Sequence, residues 1–288
     1  MIATGALLGL ATILAKIAPR AGLSPLAFLA WSVAGAALLL IVPRLLGGER
    51  LPVSRRVLEY YAIAALVSLA VPNFIFFAAI PHIGASFVAL AIAFPPLLTY
   101  AGAVLLGIER FDIGRAVGVG LALAGAALIA FLKLRLVAAD MFWVIAVLLG
   151  PVLLAIGNLY RTLRWPAGAK PAELAPGMLA AAALVLIAGG LMPGQTLAVP
   201  VARPDAALLI AAQSAALALQ YRLFFILQQR GGPVMLSLLG TVAAILAVPV
   251  AIIVLGEAPP AGLVPGAALI ATGIALVTIR QHRGRTLK

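Results

Sequence analysis

The side chains able to do chemistry in this chain stand inside long apolar stretches. Gln213, Gln220, Tyr221 and Arg222 share the run that follows Asp205, and Asn73 and Tyr100 interrupt earlier runs. Gln213 and Gln220 are seven residues apart, so on a helix they share one face. A guanidinium within an apolar span is costly unless it pairs or reaches an interface. Arg222 is therefore read two ways. Its long side chain snorkels to a membrane surface, or it presents a two-donor fork to a carboxylate or phosphate. Asn73 likewise either bonds to a neighbouring helix or contacts a ligand. Asn73, Tyr100, Gln213, Gln220, Tyr221 and Arg222 form the candidate substrate-binding set.

The backbone offers a second kind of polar group. Pro95-Pro96 falls in the middle of an apolar run, with Thr99 and Tyr100 one turn further on. Proline removes a donor and leaves carbonyls unpaired, and non-helical backbone at membrane depth lines a cavity. Gly240-Thr241 occupies the related place later in the chain, so Pro95, Pro96, Gly240 and Thr241 are candidate cavity-lining breaks. The eight carboxylates, Glu49, Glu59, Glu109, Asp112, Asp140, Glu173, Asp205 and Glu257, all sit near the ends of apolar runs. None is placed as a midplane proton relay. His82 falls in a short turn, as a solvated side chain or a proton switch, and His282 falls near the C-terminus. With no Cys and two distant histidines, neither a metal site nor a His-based triad is expected. No cofactor is expected either, and no catalytic arrangement is found.

These residues must be positioned by helices in lipid. Of 288 residues, 65% are hydrophobic and 10% charged, with a mean hydropathy of +1.20. A soluble domain carries about 25% charged residues, so water cannot cover this surface and lipid must. A spanning helix needs roughly 20 apolar residues. The charge-poor windows give ten spans, near 2–18, 25–46, 58–80, 84–107, 113–131, 140–161, 174–192, 206–229, 233–255 and 260–279. Pro81-His82-Ile83-Gly84 divides the third from the fourth. The runs lack the alternation of a membrane β-barrel. Met1 to Ala15 holds no Lys or Arg, so a cleaved signal peptide is not expected.

The spans repeat. Glu109, Gly114, Gly118, Leu121 and Gly125 recur as Glu257, Gly262, Gly266, Leu269 and Gly273, each 148 residues later, and Phe76-Phe77 recurs as Phe224-Phe225 at the same offset. The same offset carries Asn73 onto Tyr221. Five spans per repeat is odd, so the second half enters the membrane from the opposite side, as in many secondary transporters. The fold expected is an all-α membrane protein of ten transmembrane helices in two inverted five-helix repeats, residues 1–135 and 136–288. Glu109 and Glu257 are read as structural markers of that repeat, and the glycines as close-packing positions. On the Gly-(x)-Glu elements at Glu109 and Glu257, and the glycine-patterned helices after them, the chain resembles the drug/metabolite transporter superfamily, in particular its EamA-type ten-helix members. That resemblance implies a secondary transporter of a small metabolite, amino acid-like or amphiphilic and drug-like, working by alternating access as an exporter. The first span departs from the family pattern in having no tryptophan near its start. A non-transport scaffold or lipid-binding subunit is the alternative. An apolar interior would favour the scaffold and a polar one the carrier.

The basic residues orient the chain. Arg44, Arg50, Arg55, Arg56, Arg110, Arg115, Arg161, Arg164, Lys170, Arg230, Arg280, Arg283, Arg285 and Lys288 fall on one side. Lys16, Arg20, Lys133, Arg135 and Arg203 fall on the other. The positive-inside rule makes the first group cytoplasmic, with both termini on that side of a multi-pass inner-membrane protein. The net charge of +12 is thereby a topology signal beside anionic headgroups, and nucleic acid is not an expected partner. Expected partners are the bilayer, a small-molecule substrate and a coupling proton. Cysteines placed at Arg50 and Arg285 should be shielded from an impermeant thiol reagent in intact cells, while one at Arg203 reacts. Labelling at 50 and silence at 203 would reverse the orientation.

Overall fold

The computed structural model describes residues 2–92, 94–108, 110–136, 141–200, 203–237, 239–253, 255–256 and 262–286. Among these residues the ordered secondary structure is helical. The helices are α1 (Ile2–Ile17), α2 (Pro25–Leu46), α3 (Arg55–Ala65), α4 (Val71–Ile83), α5 (Ala85–Ile92), α6 (Pro95–Leu105), α7 (Ile113–Leu136), α8 (Met141–Leu163), α9 (Pro171–Gly190), α10 (Pro204–Ser237), α11 (Leu239–Ile253) and α12 (Leu263–Thr286). Six helical stretches are long and apolar enough to cross a bilayer: Ile2–Ala21, Pro25–Leu46, Arg55–Ile83, Met141–Leu163, Pro171–Gly190 and Pro204–Gln229. The protein is an all-α, multi-pass membrane protein. In lipid each backbone N–H and C=O must find a partner within the chain, which is why such runs fold as helices.

Two prolines shape the first half. Pro72 has no N–H to give the carbonyl one turn before it. The helix meets this by widening into a π-turn over Leu66–Ala70, which joins α3 to α4 as one continuous stretch. The amide of Asn73 donates to the Leu69 carbonyl at 2.8 Å, satisfying an acceptor at the widened turn. Pro95 and Pro96 instead open α6, where a missing N–H is harmless. The run expected as one span over 84–107 is thus two helices, α5 and α6.

Two further expectations need correction. The boundary placed at 230–232 is not a break, because helical backbone continues through Gly231-Gly232-Pro233 to Ser237. No break occurs at Gly240-Thr241 either, since α11 is helical through both. With tertiary neighbours to hold the chain, a glycine or a Gly-Pro pair need not end a helix. Glu109 and Glu257 lie outside the described residues.

On α2 small residues fill much of the inner face, with Phe28 and Leu29 buried beside them, and leucines of the later turns face outward. On α2, Ala27, Ala30, Val33 and Ala36 are wholly buried, while Leu38, Leu39 and Leu46 point out toward lipid. This is how membrane helices approach closely, because lipid solvates leucine as well as a protein interior does. α7 packs along α12, α2 along α9, α1 against α11 and α10, α5 against α11, and α8 against α4 and α6; α2 also meets α10, and α3 meets α9. The α7–α12 pair is antiparallel and reciprocal: Gly125 lies against the Gly266 carbonyl and Gly273 against the Gly118 carbonyl. α2 and α9 also run antiparallel. At one end the Ser24 hydroxyl donates to the Thr196 carbonyl at 2.9 Å and the Trp31 indole N–H to the Leu197 carbonyl at 2.8 Å. At the other, Arg44 Nη1 donates to the Ala172 carbonyl at 3.0 Å.

A methyl group at Gly125 would meet the Gly266 carbonyl oxygen at 2.5 Å, and backbone cannot yield cheaply. Gly125→Ala should destabilise the protein by about 1–3 kcal/mol, the usual cost of overpacking. Gly120, on the same helix, has open space where a Cβ would stand, so Gly120→Ala should leave the thermal midpoint in detergent unchanged or slightly raised. Equal midpoints for the two variants would show that α7 and α12 do not meet at these glycines.

Candidate functional site

Polar side chains from α4, α8 and α10 and the π-turn converge on one cavity with about 590 Å³ of empty space. The first half supplies Leu8, Ser68, Asn73, Phe76, Ile92 and Pro95 to its wall. The second supplies Leu154, Asn158, Arg161, Gln220, Tyr221 and Phe224, together with Leu236, Leu239 and Gly240.

The group that dominates this wall is Arg161, near the end of α8 and 1% exposed. Leu154, Asn158 and Arg161 are spaced four and three residues apart, so they share one face of the helix. Three helices hold the guanidinium. Its Nε donates to Gln228 Oε1 on α10 at 3.0 Å, and its Nη2 donates to Asn158 Oδ1 at 2.7 Å. Asn158 Nδ2 donates in turn to Thr99 Oγ1 on α6 at 3.3 Å. Thr162 Oγ1 donates to the Asn158 carbonyl at 2.9 Å and receives a bond from Gln228 Nε2 at 3.5 Å. The Arg161 guanidinium carbon lies 4.7 Å from the centre of the Phe224 ring, close enough for a cation–π attraction. Its Nη1 has no hydrogen-bond partner, and neither has Gln220 Oε1 or Ser68 Oγ. Behind the site, Tyr60 stacks on Tyr160 and meets Trp165 edge-on, and Trp165 meets Phe225.

Five of the ten residues named from the sequence reach this cavity: Asn73, Gln220, Tyr221, Pro95 and Gly240. Asn73 and Tyr221, related by the 148-residue offset, both line it. The others fall elsewhere. Tyr100 sits midway along α6, and its hydroxyl accepts from the Asp112 N–H at 3.0 Å and donates to the Arg110 carbonyl at 3.4 Å. It fastens the loop into α7 and its ring lies beneath the Arg115 guanidinium. Gln213 is wholly buried with both amide atoms unpartnered, and is not part of the cavity wall. Pro96 is buried but is not part of the cavity wall. The Thr241 side chain lies outside the described residues. Arg222 is exposed on the outer surface of α10. It is not part of the cavity wall.

Sequence reasoning missed Arg161 by assigning it to the cytoplasmic loop after the sixth span. One signal was present: Asn158 three residues earlier, on the same helical face, inside the same apolar run. His82 is exposed and stacks on Trp143 with ring centres 4.6 Å apart. Among the described residues no group of three or more His, Cys, Asp or Glu converges.

A multi-pass helical bundle with a cavity that takes polar side chains from both halves of the chain defines the class. Residues 1–131 match the model of the EamA-like transporter family, which agrees with the resemblance read from the sequence. A solved crystal structure, described only as that of a protein, superposes over 96% of this chain and 98% of its own with a TM-score of 0.68 at 19% identity. That likeness is one of fold. No curated protein matches the chain.

Asn158→Leu removes the acceptor of a charged donor inside the bundle and should cost about 1.5–3 kcal/mol, whereas Thr99→Val removes a neutral bond worth about 0.5–1.5 kcal/mol. Thermal unfolding in detergent should rank the variants in that order. The reverse order would mean that Asn158 does not support Arg161.

Proposed function

We propose that this chain is a ten-span secondary transporter of a small metabolite, working by alternating access from a site at the interface of two inverted five-helix repeats, residues 1–135 and 136–288. The observation that carries the proposal is the cavity, lined from both halves and holding unpartnered polar atoms of Ser68, Arg161 and Gln220. A scaffold has no need to keep such groups in its interior, where each unmet bond costs free energy.

The repeat reading is supported by an exchange rule in the packing. Number the spans so that α3–α4 is the third, α5–α6 the fourth, α8 the sixth, α10 the eighth and α11 the ninth. Swapping the halves then turns each major contact into another that is present: one–nine into six–four, one–eight into six–three, and two–eight into seven–three. The pairs two–seven, four–nine and five–ten map onto themselves. A self-paired contact between equivalent helices that run antiparallel, as α7 and α12 do, is what a twofold axis in the membrane plane produces. Asn73 with Tyr221, and Phe76 with Phe224, place equivalent residues of the two halves around the same cavity. In such folds the substrate site lies at the repeat interface.

The orientation proposed keeps both termini in the cytoplasm of an inner-membrane protein, and the direction proposed is export. Removing Arg161 from the basic count leaves thirteen residues against five, so the bias survives its reassignment. No carboxylate lines the cavity among the described residues, so a coupling proton has no acidic relay there. Leu154→Trp should fill the cavity and abolish solute flux in proteoliposomes while keeping the thermal midpoint near that of the parent. Full flux in that variant would move the pathway away from this cavity.

A further inference from the structure

We infer that the cavity takes an organic monoanion, a small carboxylate with an apolar body, on the unpaired Nη1 of Arg161; this rests on the carrier reading above. Arg161 is the one charged group in the cavity wall among the described residues. Two of its three nitrogens are engaged by neutral acceptors, Gln228 and Asn158, so the bonds that hold it leave its charge uncompensated. Of the described carboxylates, Glu59 and Asp205 are exposed and the other three are engaged at helix ends. Glu49 pairs with Arg44 at 2.7 Å. Glu173 accepts from the Lys170 N–H at the start of α9, and Asp112 accepts from the Arg115 N–H at the start of α7.

A buried cation held only by neutral groups is an incomplete arrangement, because desolvation is offset chiefly by an opposite charge. The missing charge is a ligand's. One guanidinium balances one negative charge, which disfavours a phosphate monoester or dicarboxylate. An ammonium group would meet repulsion from Arg161 and find no carboxylate among the described cavity residues. The rest of the wall, with Phe76, Leu154, Phe224 and Leu236, suits an apolar body. Gln220 Oε1 is left as an acceptor for a neutral donor such as a hydroxyl. The site therefore selects an anionic amphiphile over the cationic and zwitterionic solutes left open by the sequence.

The test uses the full chain in detergent and a set of probes matched in shape: phenylacetate, phenethylamine, phenylacetamide and phthalate. Binding is read as a ligand-dependent rise in thermal midpoint and, separately, flux is read in proteoliposomes. Phenylacetate should bind best to the parent protein. Arg161→Gln should weaken it roughly ten- to a hundredfold, the value of a charge-assisted bond, and Arg161→Lys should recover part of the loss. Arg222→Gln should change nothing. Because the four-probe ranking is taken on the parent protein, it stands even if an Arg161 variant folds poorly. Absence of a preference for phenylacetate over phenethylamine in the parent overturns the inference. Flux of phenethylamine without flux of phenylacetate would overturn it while leaving the carrier reading intact. Selective phenylacetate binding with no flux of any probe would uphold the anion site and count against the carrier.

Discussion

The costliest group in this molecule is a guanidinium placed inside a bundle that lipid surrounds. Stripping Arg161 of water carries a penalty of several kcal/mol even after relaxation. The structure offsets part of it with fixed dipoles: two side-chain carbonyls, from Gln228 and Asn158, and the face of the Phe224 ring. Those partners come from α8 and α10, and Asn158 is braced by Thr99 on α6. Keeping one charge in place thus fixes the relative positions of three helices. The π-turn at Leu66–Ala70 adds a fourth element, because the widening forced by Pro72 brings Ser68 and Asn73 to the same cavity.

Close packing elsewhere makes that arrangement possible. Helices in lipid gain little from burying leucine against leucine and depend on dispersion and close backbone approach. The glycines of α7 and α12 let the two backbones touch, Gly125 at Gly266 and Gly273 at Gly118, far from the polar site. On α2, Leu38 and Leu39 are left for the lipid face. Glycines set the approach at the polar site as well, where Gly150 of α8 lies against Phe76 of α4 and Gly157 against Ser68 of the π-turn.

What could be read from the sequence followed from physics that acts along one helix at a time. Charge-free windows located α1, α2, α8 and α9 within a few residues, because lipid tolerates few alternatives. Pro95 marked a real helix start for the same local reason. The site was less legible because it depends on rotation between helices. Once Gln220 and Tyr221 face the cavity, Arg222 lies about 200° around the helix from Gln220 at roughly 3.6 residues per turn, and must point away. Nothing in the spacing of Gln213 and Gln220 alone told which of their neighbours shared the inner face. Arg161 was hidden by its position near the end of a span, where an arginine ordinarily reports topology. Only the neighbouring α10 and α6 reveal that this end of α8 is enclosed.

The division of labour within the guanidinium explains why arginine and not lysine occupies this position. A lysine ammonium presents three donors from one atom, so a neighbour that holds it also competes for the charge that would bind a ligand. The planar fork separates those tasks. Nε and Nη2 are tied to Gln228 and Asn158, which set the plane of the group, and Nη1 remains at a fixed direction with no partner. A carboxylate arriving there meets a donor whose orientation has already been determined by the protein, so little rotational freedom remains to be lost on binding. The neutral character of the tethering groups matters equally. Had a glutamate stood at 228 or an aspartate at 158, the guanidinium would be better stabilised at rest and would have little charge left to offer. The polar residues around Arg161 are those that hold it in place without neutralising it.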